Sequence, residues 1–243
     1  MPGQGDAPSI GIAYIMPMKV IVTGASGMVG KGVLLECLDH ETVSQVISIG
    51  RTKLDMDHPK LKQIAHPDFS DFSGIKEALQ GYDACYMSMG VSAAGLSAER
   101  YQEITYDYTM ALARSLNEIN PETTITYVSG EGTDSTEKGR TRWARVKGKT
   151  ENDLLALGFK QAFMFRPGAI IPLRGIKSGT KMYQFFYDYF MWLIKLIKAI
   201  APGSVVNTTQ IGLAMINVAM GGYAKQIIRP KDILKLADTS FST

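Results

Sequence analysis

The sequence predicts an α/β fold in which helices cover both faces of a mostly parallel sheet, and three observations indicate this class. Short apolar runs that suit buried strands alternate with longer segments that suit helices, beginning with KVIVTG at residues 19–24. Three glycines, spaced three residues apart, begin at the end of that first apolar run. The 243 residues are 45% hydrophobic, which is enough for one globular domain with a full core.

Each predicted element comes from its own stretch of sequence. The strands are apolar and often β-branched, and they are expected within residues 19–24, 43–51, 61–69, 83–90, 123–130 and 160–170. The helices between them are expected within residues 29–40, 72–82, 98–119 and 140–158. Ser73 is expected to cap the second helix, Pro121 follows the third, and Gly158 is expected to close the fourth.

The rhythm changes after about Pro172. A Pro/Gly-rich loop is followed by an aromatic helical run, and Thr208 or Thr209 is expected to cap a helix that begins at Gln210. We therefore expect a small C-terminal lobe that faces the substrate, formed by segments mainly within residues 172–243. This lobe is too short to be an independent domain. Residues 18–243 are expected to form one domain, and residues 1–17 a disordered extension or a misassigned start.

Composition excludes several function classes. The net charge of +3, from 26 basic and 23 acidic residues, is too small to indicate nucleic acid as a partner. The basic run at 138–149 lacks an aromatic stacking platform and is expected to be a solvated helix face beside an anionic cofactor. Cys37 and Cys85 form no CxxC motif and the three histidines are scattered, so no metal site is predicted. Few cysteines and no convincing signal peptide predict a cytoplasmic location.

The most membrane-like run lies at 182–200. It contains Asp188, Lys195 and Lys198, so it is not a clean membrane-spanning segment. A partly buried helix is the expected structure, with a partner-binding or membrane-surface helix as the alternative. The long helices of the chain could also pair two copies into a homodimer.

The glycine loop VTGASGMVGKG predicts nucleotide binding. Gly24 permits a tight turn out of the strand, Gly27 lets the backbone approach a pyrophosphate, and Gly30 lets the helix pack closely on the sheet. Phosphates are then expected at the free N–H groups of the helix start, near Ser26, Met28 and Val29. Because the loop follows a strand and opens a helix, the prediction becomes a Rossmann doubly wound parallel sheet.

The end of the second predicted strand indicates which dinucleotide is bound. A carboxylate at this position would bind the ribose 2′-hydroxyl of NAD, but the sequence here is SIGRTK, with no acid. Arg51 can clamp a 2′-phosphate and stack on adenine, and Lys53 can add charge. NADP(H) is therefore favoured over NAD(H), the alternative being that Arg51 and Lys53 are only solvated loop charges.

Two further strand ends are expected to touch the cofactor. Asp68 and Phe69 follow the third strand, where an acid can accept a hydrogen bond from the adenine amine. Met89 and Gly90 end the fourth strand, where small residues let a dinucleotide lie across the strand ends.

Three segments together carry a resemblance to a known family: TGASGMVG, RPGAI and WARVKGKTEN. Through them the chain resembles the extended and atypical short-chain dehydrogenases/reductases, the NAD(P)-dependent epimerase/dehydratase group. VKGKTEN and VVNTTQIGLAMI look like its Tat-interacting-protein-like branch. The resemblance covers roughly Lys19 to Tyr223. It implies an NAD(P)-dependent oxidoreductase or epimerase, and it implies that the segment containing Arg166 and Pro167 passes the nicotinamide.

The family carries a catalytic tyrosine and a lysine four residues apart on one helix. The resemblance implies that Lys147 is the lysine that holds the nicotinamide ribose, but Trp143 stands at the tyrosine position. A phenol with a pKa near 10 is the family's acid and base, whereas indole cannot exchange a proton in this role. The usual mechanism is therefore in doubt.

Other groups are candidates for the missing chemistry. The family's substrate-polarising hydroxyl falls between Ser129 and Glu131, and Glu131 could be a base or a solvated loop carboxylate. One of Tyr101, Tyr106 and Tyr108 could replace the lost phenol, although tyrosines on such a helix more often pack. Two hypotheses follow. The chain is an NADP(H)-binding oxidoreductase acting on an unknown small carbonyl or sugar-like substrate, or it is a catalytically weak or inactive NADP(H)-binding regulator or scaffold.

Overall fold

The computed structural model describes residues 17–176 and 202–240. The predictions made for residues 1–16 and for the aromatic run at 182–200 lie outside the described residues.

The described elements alternate between strands and helices as predicted. The strands are β1 Met18–Thr23, β2 Val43–Gly50, β3 Leu61–Ala65, β4 Ala84–Met87, β5 Thr124–Val128, β6 Ala162–Phe165, β7 Ala169–Ile171, β8 Val205–Asn207 and β9 Ile227–Ile228. The helices are α1 Met28–Asp39, α2 Ala98–Gln102, α3 Tyr108–Ile119, α4 Arg142–Ala156, α5 Thr208–Gly221 and α6 Pro230–Ala237. A π-helical turn, Glu103–Asp107, joins α2 to α3, and short 3₁₀ helices cover Ser73–Leu79 and Pro202–Ser204.

A parallel sheet confirms the predicted fold class. Within the described residues it has seven strands in the order β3-β2-β1-β4-β5-β6-β9, and every neighbouring pair is parallel. One apolar cluster packs α1, α5 and α6 against one face, and a second packs α3 and α4 against the other. The order reverses between β1 and β4, so a crevice opens at the carboxyl ends of these strands, where α/β sheets bind ligands.

The sixth predicted strand is really two strands. β6 lies in the main sheet, whereas β7 leaves it and pairs with β8 in a separate two-stranded sheet. Between them, Pro167 has no N–H for a ladder, and a Cβ on Gly168 would lie 2.3 Å from the Ser204 carbonyl oxygen. The break therefore carries the chain out of the sheet beside the crevice.

Two predicted helix caps are wrong. The segment at 73–79 is a 3₁₀ helix, and Ser73 does not cap it, because its N–H and hydroxyl both donate to Asp71. Asn207 caps α5 in a capping box with Gln210, so neither Thr208 nor Thr209 is the cap. The strand β9 was not predicted, since two residues are too few to show a pattern. Gly158 has the positive φ of +81° expected of a helix-closing glycine.

Candidate functional site

Two adjoining cavities form one cleft at the reversal point of the sheet. The large cavity is about 700 Å³ and the small cavity about 220 Å³. Both are lined by Gly27 and by the segment that follows β4, from Ser88 to Val91. The cleft therefore runs across the glycine loop, from the end of β2 on one side to α4 on the other.

The glycine loop is shaped by close backbone contacts. Gly24 has a φ of +72°, and a Cβ there would lie 2.4 Å from the Ser88 carbonyl oxygen. A Cβ on Gly30 would lie 2.1 Å from the Gly24 carbonyl oxygen. A residue with a side chain at this position would therefore prevent the helix from starting this close to the strand. Gly27 caps α1 without a side-chain hydrogen bond, and the first turn carries no acidic residue. The helix start thus presents N–H groups and a positive dipole end to an anion.

Ser88 supplies an observation that fits a bound polar group. Its hydroxyl oxygen is buried without a hydrogen-bond partner in the described structure, and the residue lines both cavities. A buried unpaired hydroxyl is costly, so a polar ligand across the cleft would satisfy it. Of the other predicted loop residues, Ser26 lines the small cavity, and Met28 and Val29 line the large one. This set of residues fits a dinucleotide.

The small cavity contains some of the predicted adenosine-side residues. Arg51, exposed to solvent, and the buried Phe69 line it, together with Tyr108 and Arg100, which sequence reasoning did not assign to the cofactor. The Phe69 ring is tilted against Tyr108 with 6.2 Å between ring centroids. The small cavity therefore combines an aromatic wall with two guanidinium groups.

Lys53 and Asp68 do not line either cavity. Asp68 Oδ1 accepts hydrogen bonds from the Ser70 N–H, at 2.9 Å, and from the Ser70 hydroxyl, at 2.5 Å. These bonds lower the pKa of the Asp68 carboxyl. The carboxylate thus serves the turn after β3, whereas Met89 and Gly90, which the sequence predicts to touch the cofactor, line both cavities.

The large cavity contains the residues that the resemblance links to chemistry. Helix α4 carries Trp143 and Lys147 one turn apart, and both line the cavity with Ser129 and the buried Pro167. Lys147 Nζ donates to the Ser129 carbonyl oxygen at 2.5 Å. Burial lowers the pKa of Lys147 to about 8, although the nearby Glu151 carboxylate opposes this shift. Lys147 is therefore a partly buried amine held at the end of β5.

The hydroxyl proton of Ser129 is already engaged. Its Oγ donates to Glu151 Oε1 and lies 3.2 Å from the Phe165 carbonyl oxygen. Glu151 is fully buried and accepts from the Arg166 Nε at 3.0 and 3.1 Å, as well as from Nη2. The Glu151–Arg166 pair was not predicted from the sequence, although the KTEN spacing places Glu151 one turn beyond Lys147.

Glu131 also lines the large cavity, but its carboxylate is paired. Arg229 Nη1 lies 2.9 and 3.2 Å from the two carboxylate oxygens, and the Glu131 N–H donates to the Pro167 carbonyl oxygen. A proton-accepting role would require this exposed ion pair to open.

The three tyrosines of the long helix are divided by their positions. Tyr101 lines the large cavity and is 1% exposed. Tyr106 donates to Asp153 at 2.5 Å, away from both cavities, and Tyr108 lines the small cavity. Burial raises the pKa of the Tyr101 phenol, which makes it a weaker acid than a free tyrosine.

Relatives of similar length share this chain's sequence pattern. Protein HTATIP2 of Rattus norvegicus is 26% identical over 227 residues, covering 91% of this chain and 90% of the relative. Protein FMP52, mitochondrial, of Candida albicans is 24% identical over 236 residues, covering 91% and 99%. These relatives confirm the resemblance to the Tat-interacting-protein-like branch of the atypical short-chain dehydrogenases/reductases. No protein-family model matches the chain.

Solved structures agree with the fold. The Bordetella bronchiseptica enzyme WbmF in complex with NAD⁺ matches with a TM-score of 0.65 and 15% identity, covering 92% of this chain and 77% of that one. A short-chain dehydrogenase/reductase family oxidoreductase from Burkholderia thailandensis matches with a TM-score of 0.68 and 13% identity, covering 90% and 93%. At these identities the likeness establishes the Rossmann fold alone.

The expected cytoplasmic location is wrong on this comparison, because several of the relatives are named as mitochondrial proteins. Composition could not show this, since cysteine content does not separate the two compartments. In residues 17–176 and 202–240, no helix is both long and apolar enough to span a bilayer. The same residues contain no group of three or more His, Cys, Asp or Glu side chains that could hold a metal ion.

Proposed function

We propose that the chain binds NADP(H) in this cleft and acts as an oxidoreductase on a small carbonyl or sugar-like substrate. The observation that carries the proposal is the continuity of the cleft. Arg51 stands at one end, the glycine loop crosses the middle, and Lys147 and Ser129 stand at the other end.

Each part of the cleft would hold one part of the dinucleotide. Gly27 and the first turn of α1 would hold the diphosphate, because backbone N–H groups and the helix dipole favour negative charge there. Arg51 would bind the 2′-phosphate through its planar guanidinium, and Lys147 would donate to the nicotinamide ribose. When bound in its reduced form, the cofactor supplies a hydride.

The proton source differs from that of the family. Trp143 has no exchangeable acid, the Ser129 hydroxyl donates to Glu151, and Glu131 is paired with Arg229. Tyr101 reaches the cavity, but burial raises its pKa. Water entering the open cavity is therefore the proton source that the site favours. Lys147, whose pKa burial lowers to about 8, lines the same cavity and would polarise such a water.

A second candidate function is a catalytically weak or inactive NADP(H)-binding regulator or scaffold. Trp143 favours it, because the indole lines the large cavity and stands at the sequence position that the resemblance assigns to the family's tyrosine. The cofactor half of the cleft does not depend on residue 143, so nucleotide binding would survive without turnover.

Trp143→Tyr tests the two candidates by restoring the tyrosine–lysine spacing. NADPH oxidation would be followed with a panel of aldehydes and ketones in wild type, Trp143→Tyr and Trp143→Phe. We expect slow turnover by wild type, a gain of roughly a hundredfold in Trp143→Tyr from general acid catalysis, and no gain in Trp143→Phe. Absence of turnover in wild type, with a gain in Trp143→Tyr, would instead support the regulator.

The names of the relatives also support a location. We propose that this chain acts in mitochondria, as several of its relatives are named mitochondrial. Subcellular fractionation of the tagged full chain tests this, and recovery in the cytosolic fraction alone would contradict it.

A further inference from the structure

The large cavity indicates a narrower substrate class than the carbonyl or sugar-like compounds considered above. We propose that it binds flat, apolar conjugated carbonyl compounds, and that Trp143 is the wall against which they stack. The inference rests on the proposed function, because it specifies the substrate for the same site, but it concerns binding and can be tested without turnover.

The lining of the large cavity is mostly apolar and partly aromatic. It includes Val29, Met89, Val91, Tyr101, Val128 and Trp143. Val91 is 40% exposed and borders both cavities. Binding an apolar compound would remove this surface from water.

The charged groups of the large cavity are already partnered within the described residues. Lys147 Nζ donates to the Ser129 carbonyl oxygen, and the Glu131 carboxylate is paired with Arg229. The Ser129 hydroxyl donates to the buried Glu151. A sugar would bring several hydroxyl groups to a cavity whose charged side chains are already engaged, and each hydroxyl buried without a partner costs free energy. A conjugated ketone or aldehyde has one acceptor to satisfy.

The indole of Trp143 lies against the loop that follows β5. Gly132 has a φ of +86°, and a Cβ at that position would lie 3.3 Å from Trp143 Cη2. The loop thus leaves space for the large ring at a point where another residue would crowd it. Trp143 therefore brings an indole ring to the cavity wall at the position where the resemblance implies a phenol, and aromatic rings stack on such rings.

Equilibrium dialysis with a naphthyl methyl ketone tests this inference on the full chain, both with NADP⁺ and without nucleotide. The variants are Trp143→Ala, Trp143→Phe and Val91→Ser, with Leu173→Ala as the control because Leu173 is equally exposed but lines neither cavity. We expect affinity to fall about tenfold in Trp143→Ala and about threefold in Val91→Ser. Trp143→Phe retains a ring and should lose less than Trp143→Ala, and Leu173→Ala should bind like wild type.

Competition and folding controls complete the test. UDP-glucose should not displace the ketone, and thermal unfolding should show that each variant is folded. Because Val91 is exposed, Val91→Ser keeps the test decisive if Trp143→Ala does not fold. Unchanged ketone affinity in Val91→Ser, or displacement by UDP-glucose at lower concentration than by unlabelled ketone, would overturn the inference. Ketone binding without any response to nucleotide would instead refute the proposed function alone.

Discussion

At the residue scale, the proposed function depends on position 143, where Trp143 lines the large cavity one helical turn from Lys147. The indole keeps the aromatic bulk of the family's tyrosine but not its exchangeable proton. Lys147, one turn further along α4, keeps its place at the end of β5 by donating to the Ser129 carbonyl oxygen. Under the proposed function, Lys147 would therefore hold the cofactor without the proton transfer that the resembled family assigns to its tyrosine–lysine pair.

The candidate residues could be predicted to different degrees. The glycine loop and the helical position of Lys147 could be predicted, because close backbone approach at glycines and the spacing of residues along a helix are properties of local sequence. The engagement of the Ser129 hydroxyl by Glu151 was not, because it depends on how α4 packs over β5. Asp68 shows the same limit, since a short polar turn with Ser70 uses the carboxylate that sequence position suggested for adenine.

Lys147 should make the free energy of unfolding depend on pH in the alkaline range. Its folded pKa is about 8 and its ordinary value 10.5, so folding disfavours the charged amine. Between these pH values the unfolded chain binds more protons, and stability rises with pH. Lys147→Met should therefore be more stable than wild type near pH 7, by about 1–3 kcal/mol, with the difference shrinking from pH 8 to 10.5.

Denaturant unfolding at several pH values measures this difference. Lys62→Met, which removes an exposed lysine of β3, is the control and should keep a constant difference from wild type over the same range. A constant difference for Lys147→Met as well would show that the amine is not desolvated.

At the element scale, a buried ion pair joins three parts of the fold. Glu151 on α4 is fully buried and contacts both Arg166, which follows β6, and Ser129, which follows β5. Arg166 Nη2 also donates to Ser135, in the loop before α4. The large cavity thus lies above a polar network that fixes where α4 crosses the sheet.

Removing one partner of this ion pair should lower the free energy of unfolding more than replacing both partners. Glu151→Leu leaves the Arg166 guanidinium buried without its partner, so we expect a loss of about 3–5 kcal/mol of unfolding free energy. The double variant Glu151→Leu/Arg166→Met should recover most of that loss. Glu122→Ala breaks an exposed pair with Lys160 and should have little effect. Equal losses in the single and double variants would argue against a coupled buried pair.

The elements themselves were predictable where their patterns were long. The predicted helix at 98–119 is continuous, but sequence gave no sign of the π turn between α2 and α3. That turn lies between Tyr101, in the large cavity, and Tyr108, in the small one. The short strands β8 and β9 were missed and β7 was merged with β6, because two or three residues carry no periodicity.

At the scale of the whole molecule, strand order positions the candidate site. Alternating strands and helices predicted a parallel sheet, and the observed order reverses between β1 and β4. This reversal places the glycine loop, the end of β2 and the end of β5 around one cleft. Sequence alone could not show that the cleft has two adjoining cavities, since their walls come from segments far apart in the chain.

The binding of NADP(H) in this cleft is the central claim, and nucleotide titration tests it most directly. Thermal unfolding would be followed with NADPH and NADH for wild type, Arg51→Ala and Lys62→Ala, an exposed cation outside both cavities. We expect NADPH to stabilise wild type and Lys62→Ala more than NADH does, and Arg51→Ala to bind NADPH at least about tenfold more weakly. If neither nucleotide stabilises wild type, the cleft is not a dinucleotide site; if Arg51→Ala retains full NADPH preference, Arg51 does not select the cofactor.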